Sequence, residues 1–369
     1  MDFKDYFQAE LAVELGSRAN AVYPAFDALR YRAALPADFA PMEMKARVKV
    51  LAKALWEGLG LAFPDAAAVL CLCLDPIAGT PHQRLSGFPV WVIADIIETQ
   101  GLEHFESAMA SIHKVTQHFT GEFAIRPYLQ AYPEQTLAML AVWSRDPSPD
   151  VRRLVSEGTR SRLPWAARVS TLLLEPEPVL KLLEGLKRDE SEYVRRSVAN
   201  NLNDISKDHP ESVVATLEAW RVSHPADPLL GWIIRHALRT LAKRGHPNAL
   251  ALLGYPIDAA VEVPRFVIGP SAIGMGESIL LDCDIKLERA LAYGLMIDYA
   301  ILAPGARGKI NRRVFKWSKR QQPGVGTLNL QRSHRIETSQ VRTYYPGGYV
   351  VELIINGEVM AKSHFQVHL

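Results

Sequence analysis

VRRLV at 151–155 and VRRSV at 194–198 are nearly the same five residues written twice, and IRHAL at 234–238 writes them again. A fainter version, IRPYL, occupies 125–129. The starts at Val151, Val194 and Ile234 are 43 and then 40 residues apart. Val151, Leu154, Val155 and Gly158 fall at i, i+3, i+4 and i+7, which is one helix face, and Ile234, Ala237, Leu238 and Leu241 repeat the pattern. A second helical stretch precedes each copy, at 134–144, 178–187 and 211–221. Turn signals separate the stretches: RDPSPD at 145–150, RDESE at 188–192 and HPADP at 224–228. Ser148 and Ser191 stand three residues before Val151 and Val194, where an N-cap belongs.

A helical hairpin recurring at about 40 residues predicts a HEAT-like α-solenoid, because one pair cannot bury its own apolar face and must stack on its neighbours. The competing reading is an irregular helical bundle. Residues near 3–17, 24–33, 42–58 and 101–118 read as less regular helices that cap the array. The grammar changes after Tyr255. PIDAAVEVPRF at 256–266 reads as a linker, and short strands follow at 278–285, 295–301, 312–317, 327–330 and 340–344. The last pair, 349–355 and 358–367, is joined by Asn356-Gly357, a strong hairpin signal. The expected fold is therefore mainly α. A helical-repeat domain at 1–258 is followed at 259–369 by a small all-β sandwich of immunoglobulin type. Cys283 has no evident partner for an inter-sheet disulfide, and Trp317 is a candidate core residue.

The 369 residues are 48% apolar and 22% charged, an ordinary globular balance. The longest apolar run, Ala66 to Leu74, is nine residues between two aspartates, too short for a membrane span and apt for a buried helix. MDFKDYF at the start lacks the apolar stretch of a signal peptide. Three cysteines make no disulfide framework, and Cys71-Leu72-Cys73 lacks zinc-ligand spacing. A bacterial-type cytoplasmic protein, monomeric and away from membranes, is expected. HExxH, P-loop and GxGxxG motifs are absent and the histidines are scattered, so no metal or nucleotide cofactor is expected. The net charge of +2 does not announce a nucleic-acid partner, but its distribution is uneven. Residues 261–369 carry 14 basic and 9 acidic residues, a net of +5, against 28 and 31, a net of −3, in the remainder.

Turning about 100° per residue from Val151 puts Arg153 at about 200° and Glu157 at about 240°. From Val194, Arg196 lies at about 200°, Asn200 at about 240° and Asp204 at about 280°. Glu157 and Asp204 thus project from equivalent, core-averted faces of successive motif helices. A solvated face with pairs such as Arg153–Glu157 explains this pattern. So does an acid-and-arginine stripe on a concave wall, gripping phosphate and stabilising a cation.

HFTGEFAIRPYL (118–129), DPSPDVRRLVSEGTRSRLPW (146–165) and ESEYVRRSVANNLNDISKDHP (190–210) resemble signature segments of the AlkC-type alkylbase DNA glycosylases, as does FKDYFQAELAVELGSRANAVYPAFD (3–27). The resemblance spans essentially the whole chain, including a C-terminal immunoglobulin-like domain found in some members. It implies a monofunctional base-excision repair enzyme acting on cationic N-alkylated bases in duplex DNA, with 3-methyladenine and 3-methylcytosine the leading substrates. By motif match, Glu157, then Asp204, then Glu122 become the catalytic acids. Without the resemblance, Glu122 is simply an acid near a helix start, with Thr120 as cap. Trp165, otherwise a loop anchor, becomes a wall against the lesion nucleoside. Arg153 becomes the grip on the flanking phosphate, with Arg152, Arg195, Arg196 and Arg235 as weaker phosphate contacts. The resemblance also implies cleavage without base flipping, which agrees with the lack of an evident base-pocket motif. No lysine is evident among the acids, which argues against a Schiff-base step.

ARGKINRRVFKWSKR at 306–320 holds seven basic residues and no acid. Arg312, Arg313, Lys316 and Lys319 are candidate contacts to DNA phosphates, and charge protection of an edge strand is the alternative. QRSHR at 331–335 extends the same candidate surface. Two other functions remain open on sequence alone: a non-enzymatic helical-repeat scaffold for a protein partner, and a structure-specific DNA-binding protein.

Overall fold

A computed structural model describes residues 2–257, 260–338 and 343–368. Packing divides the chain into two compact units. One runs to His209 and takes back Asp227–Ile233; the other holds Pro210–Ala226 and everything from Ile234 onward. The expected boundary at 258/259 marks only where helices give way to strands, between Leu252 and Val261. The helices Pro210–Ser223, Arg239–Arg244 and Pro247–Leu252 belong with the strands. The reason is packing. Leu250 is fully buried against Tyr255 and Met296, and a Cβ added at Gly245 would stand 2.8 Å from the carbonyl oxygen of Gly357.

In the first unit the motif helices are Pro149–Gly158 and Glu192–Ile205, which pack against each other. They are preceded by Pro133–Trp143 and Glu177–Leu186, as the hairpin repeat requires. Val151, Leu154, Val155, Val194 and Val198 are fully buried. Gly158 sits where a Cβ would meet Ile125 Cγ2 at 2.7 Å, so the fainter motif packs directly on the clearer one. The third copy departs from the expectation. Ile234 lies near the end of the helix Pro228–Ala237, whereas Val151 and Val194 lie near the starts of theirs. IRPYL is also offset, since Ile125 is the N-cap residue of Arg126–Ala131. The apolar run at 66–74 forms the helix Phe63–Leu72 and the turn after it, but only one face is buried, through Ala66, Ala67 and Leu70; Leu72 is 57% exposed. Among the described residues no single helix is long and apolar enough to cross a membrane.

Ser148 and Ser191 hold the N-cap positions, but neither side chain makes the capping hydrogen bond. Asp146 Oδ1 and Asp189 Oδ1 instead accept from the backbone N–H groups of Ser148 (2.8 Å) and Ser191 (2.9 Å). The aspartate of the turn, two residues upstream of each serine, organises the chain entering the helix.

The strands are β1 (Val261–Gly269), β2 (Ala272–Gly274), β3 (Ser278–Leu287), β4 (Leu295–Pro304), β5 (Ile310–Arg320), β6 (Gly326–Arg335), β7 (Gly347–Ile355) and β8 (Glu358–His368). They form a three-stranded sheet, β1-β3-β6, and a five-stranded sheet, β2-β8-β7-β4-β5. The expected linker at 256–266 thus overlaps β1, whose Val261 is core and whose register on β3 shifts between Glu262 and Arg265. The strand expected at 340–344 falls mostly on 339–342, outside the described residues; Tyr344 belongs to no strand. Asn356 and Gly357 turn the β7–β8 hairpin with φ of 47° and 86°, the left-handed pair such a turn demands. Cys283 is buried and free, and burial pushes its thiol up to about 12. Trp317 is half-buried and packs against both apolar clusters of the β fold.

Candidate active site

The expectation of core-averted faces for Glu157 and Asp204 does not make them exposed: they are 6% and 2% accessible. The burial comes from a polar seam between the two motif helices. Ser197 Oγ donates to Glu157 Oε2 at 2.6 Å and also meets Ser156 Oγ at 2.9 Å. Asn201 Nδ2 donates to the Ser156 carbonyl at 2.7 Å and to Thr159 Oγ1 at 3.0 Å. An apolar count of helix faces misses such a seam, because it is built from small polar residues.

Along this seam runs an alternating line of charge. Arg153 Nη1 donates to Glu122 Oε2 at 2.7 Å, and Arg153 Nη2 lies 3.3 Å from Glu157 Oε1. Arg160 Nη1 donates to the same Glu157 oxygen at 2.7 Å, and Arg160 Nε to Asp204 Oδ2 at 2.8 Å. Lys207 Nζ closes the line on Asp204 Oδ1 at 2.8 Å. Burial pulls the Arg153 and Arg160 guanidinium groups down; the adjacent carboxylates outweigh it and hold both above their ordinary value. Arg153 also stacks over the Tyr193 ring, 4.8 Å from its centroid. Glu122 is not in a helix. It sits in the turn before Arg126–Ala131, with Thr120 Oγ1 accepting from its N–H at 3.2 Å and donating to its Oε2 at 3.0 Å. Among the described residues no hydrogen bond reaches Glu122 Oε1, so one carboxylate oxygen of the line is left to a visitor.

Trp165 is 55% accessible, with a left-handed φ of 64°. Its carbonyl accepts from Lys45 Nζ, and Phe3 meets its ring edge-on at 6.5 Å. Buried Arg126 fixes the following residues by donating Nε and Nη2 to the Ala167 carbonyl (2.9 and 2.6 Å). Its Nη1 donates to the carbonyls of Gly158 and Arg160 at 3.0 Å each.

Comparison with known proteins shows what the whole chain is similar to. A family model described as "Uncharacterised protein YhaZ, C-terminal Ig-like domain" matches residues 262–369. YhaZ of Bacillus subtilis (strain 168) is 36% identical over 368 residues, 99% of each chain. The solved structure of Pseudomonas fluorescens alkylpurine DNA glycosylase AlkC, bound to DNA containing an abasic-site analogue, is 33% identical over the whole of both chains, with a TM-score of 0.84. The chain belongs to the AlkC-type family.

Within this AlkC-type chain the two arginines of each VRR motif divide their work. Arg152 Nη1 donates to the carbonyls of Asp146 (2.9 Å) and Pro147 (3.0 Å), and Arg195 Nη1 does the same to Asp189 (2.6 Å) and Glu190 (2.7 Å). Arg152 also forks onto the carboxylate of Asp189 in the next turn, at 2.6 and 3.1 Å. The expectation of phosphate contacts at Arg152 and Arg195 therefore meets donors already committed to the repeat turns. Arg196 is exposed and paired with Glu192, and Arg235 is exposed.

The line also contains a lysine, contrary to the sequence expectation. Lys207 Nζ is engaged by Asp204 in an ion pair, whereas a Schiff base needs an unengaged amine nucleophile. Arg160, Lys207, Ser197 and Arg126 were missed at the sequence level. The i+3 spacings Glu157–Arg160 and Asp204–Lys207 were the available signals. Among the described residues no group of His, Cys, Asp or Glu is placed to hold a metal. In the β fold, Arg312 donates to Glu352 at 2.9 Å, Arg313 faces the Tyr344 ring at 5.6 Å, and Lys319 faces the Tyr255 ring at 5.0 Å. Lys316 is exposed on β5, the edge of the five-stranded sheet, so the placement fits edge protection and phosphate contact alike.

Proposed function

We propose that this chain is a DNA glycosylase that hydrolyses the N-glycosidic bond of cationic N-alkylated bases, 3-methyladenine and 3-methylcytosine, in duplex DNA. The observation that carries the reading is the line Glu122–Arg153–Glu157–Arg160–Asp204, in which the Glu157 and Asp204 carboxylates are buried. Alkylation makes the base a cation and a good leaving group. As the C1′–N bond lengthens, positive charge passes to the deoxyribose, and catalysis needs fixed negative charge there more than it needs a strong acid. In the resting line three carboxylates are matched by Arg153, Arg160 and Lys207. A DNA phosphate that draws Arg153 away leaves Glu122 and Glu157 with less compensation, facing the sugar. Glu157, held rigid by Ser197 and Arg160, stabilises the cation. Glu122, with an oxygen to spare, orients and deprotonates the attacking water. Asp204 fixes Arg160 and so the position of Glu157. Trp165 lies against the nucleoside, and the base is released from the stack without being flipped. Lys207 stays paired with Asp204 rather than attacking the sugar, so the product is an intact abasic site.

The tight matching of acids by cations also favours a second reading, a structural seam in a DNA-binding protein that performs no chemistry. Release of 3-methyladenine from methylated duplex DNA separates the two. Release by the wild type and its loss in Glu157→Gln, with duplex affinity retained, supports the glycosylase. Wild-type protein that binds duplex and releases nothing removes it.

A further inference from the structure

The first unit contains a cavity that the charge line does not use. It encloses about 600 Å3 and lies beside Trp165, which lines it. Phe123, next in sequence to Glu122, and Trp91 are stacked 4.8 Å apart with their planes 12° from parallel, and both line the cavity. Asp95 and Glu98, three residues apart on the helix Trp91–Gln100, line it too. Asp95 is 9% accessible, and among the described residues no hydrogen bond reaches the carboxyl of either acid. No pocket motif in the sequence announces this space.

Lys45, Lys49, Arg126 and Arg168 also line it, against two carboxyl groups. That balance repels a cation and admits a neutral ligand. Burial raises both carboxyls above their ordinary range, with Asp95 adding to the rise of Glu98 and Lys49 opposing both. A carboxyl that takes up a proton with its ligand presents an O–H donor beside a C=O acceptor. The amidine edge of an aminopurine, a ring nitrogen beside an amino group, is complementary to that pair. Aromatic walls and a few convergent polar groups are what a small heterocycle requires.

The geometry points to this cavity as a binding site for a free, uncharged aminopurine, namely the excised base. Heterolysis of the C1′–N9 bond leaves the electron pair on N9, which cancels the charge of the alkylated ring. Water supplies the hydroxyl to C1′ and its proton leaves to solvent. The cationic rim that disfavours the lesion therefore accepts the product. Naming the ligand as the excised base rests on the proposed function; the binding itself does not.

The test needs no DNA. Calorimetric titration of the full chain with adenine and with 3-methyladenine should show saturable one-to-one binding. N6,N6-Dimethyladenine, whose amino group has lost its N–H donors, should bind at least tenfold more weakly. Glu98→Ala should weaken purine binding tenfold or more. Glu98→Gln, whose carboxamide carries the same donor–acceptor pair, should bind like the wild type and lose the weakening that the wild type shows as pH rises. Absence of saturable purine binding, equal binding of N6,N6-dimethyladenine, or wild-type affinity in Glu98→Ala overturns the assignment. Purine binding without excision activity leaves the cavity standing and removes the glycosylase reading; excision without purine binding does the reverse.

Discussion

At the scale of single residues, the informative contrast is between Arg152 and Arg153. They are neighbours in sequence with opposite employment: one forks onto Asp189 and the turn carbonyls, the other joins Glu122 to Glu157. Helical geometry separates their side chains by about 100°, so adjacency in a motif says nothing about shared function. Glu157→Gln keeps the shape of the site while deleting its charge, and the excision rate should fall about 10²–10³-fold in single-turnover assays, the usual scale for one electrostatic contact to a transition state. Ser197→Ala removes the 2.6 Å hydrogen bond to the same carboxylate without touching substrate, so a smaller loss, about tenfold, is expected in that assay.

At the scale of the elements, the repeat was legible because apolar residues at i, i+3 and i+4 must face a neighbour. The paired helices 134–144 and 178–187 were placed to within a residue or two of Pro133–Trp143 and Glu177–Leu186. What periodicity could not convey was the polar seam. The wheel assigned Glu157 and Asp204 to a core-averted face, but both are buried; it has no means to show that Ser197 of the neighbouring helix covers Glu157, or that Arg160 reaches both acids. IRHAL matched in letters but not in place, because its helix starts at Pro228, six residues before Ile234. The β1 strand was read as linker because Pro264 and its charged neighbours hide the alternation, and a register shift falls at that point. A prediction belongs here. Arg152→Met leaves Asp189, whose side chain is 5% accessible, without its forked partner. Denaturant unfolding should show a loss of about 2–4 kcal/mol, and Arg196→Met, exposed on the next helix, about none.

At the scale of the whole molecule, the excess of basic residues after 260 resolves into β5 and its surroundings, and deletion is a poor way to test them. Cutting at 260 would strip the cover from Leu250 and Gly245 and unfold part of what remains. Reversing two exposed charges, Lys316→Glu with Lys319→Glu, is cleaner. If β5 touches phosphates, the slope of log affinity against log salt should flatten by about two and sequence preference should stay unchanged. Stability carries its own pH signature. Burial lifts the Asp298 carboxyl to about 6, against the pull of Lys316 and Lys319. The folded state therefore holds a proton that the unfolded chain has released, and stability falls as pH rises from the ordinary aspartate value through about 6. Asp298→Asn should remove that slope, worth on the order of 2 kcal/mol, in melts recorded between acid and neutral pH.

The backbone at Trp165 bends in a direction that a large side chain resists, and Lys45 and Arg126 tether it there. Asparagine accepts that bend with less penalty and gives up little buried area, because the indole is mostly in water. Trp165→Asn should melt no lower than the parent, yet it should excise far more slowly. A chain selected for durability alone would discard this tryptophan, so its retention marks a place where usefulness and robustness pull apart.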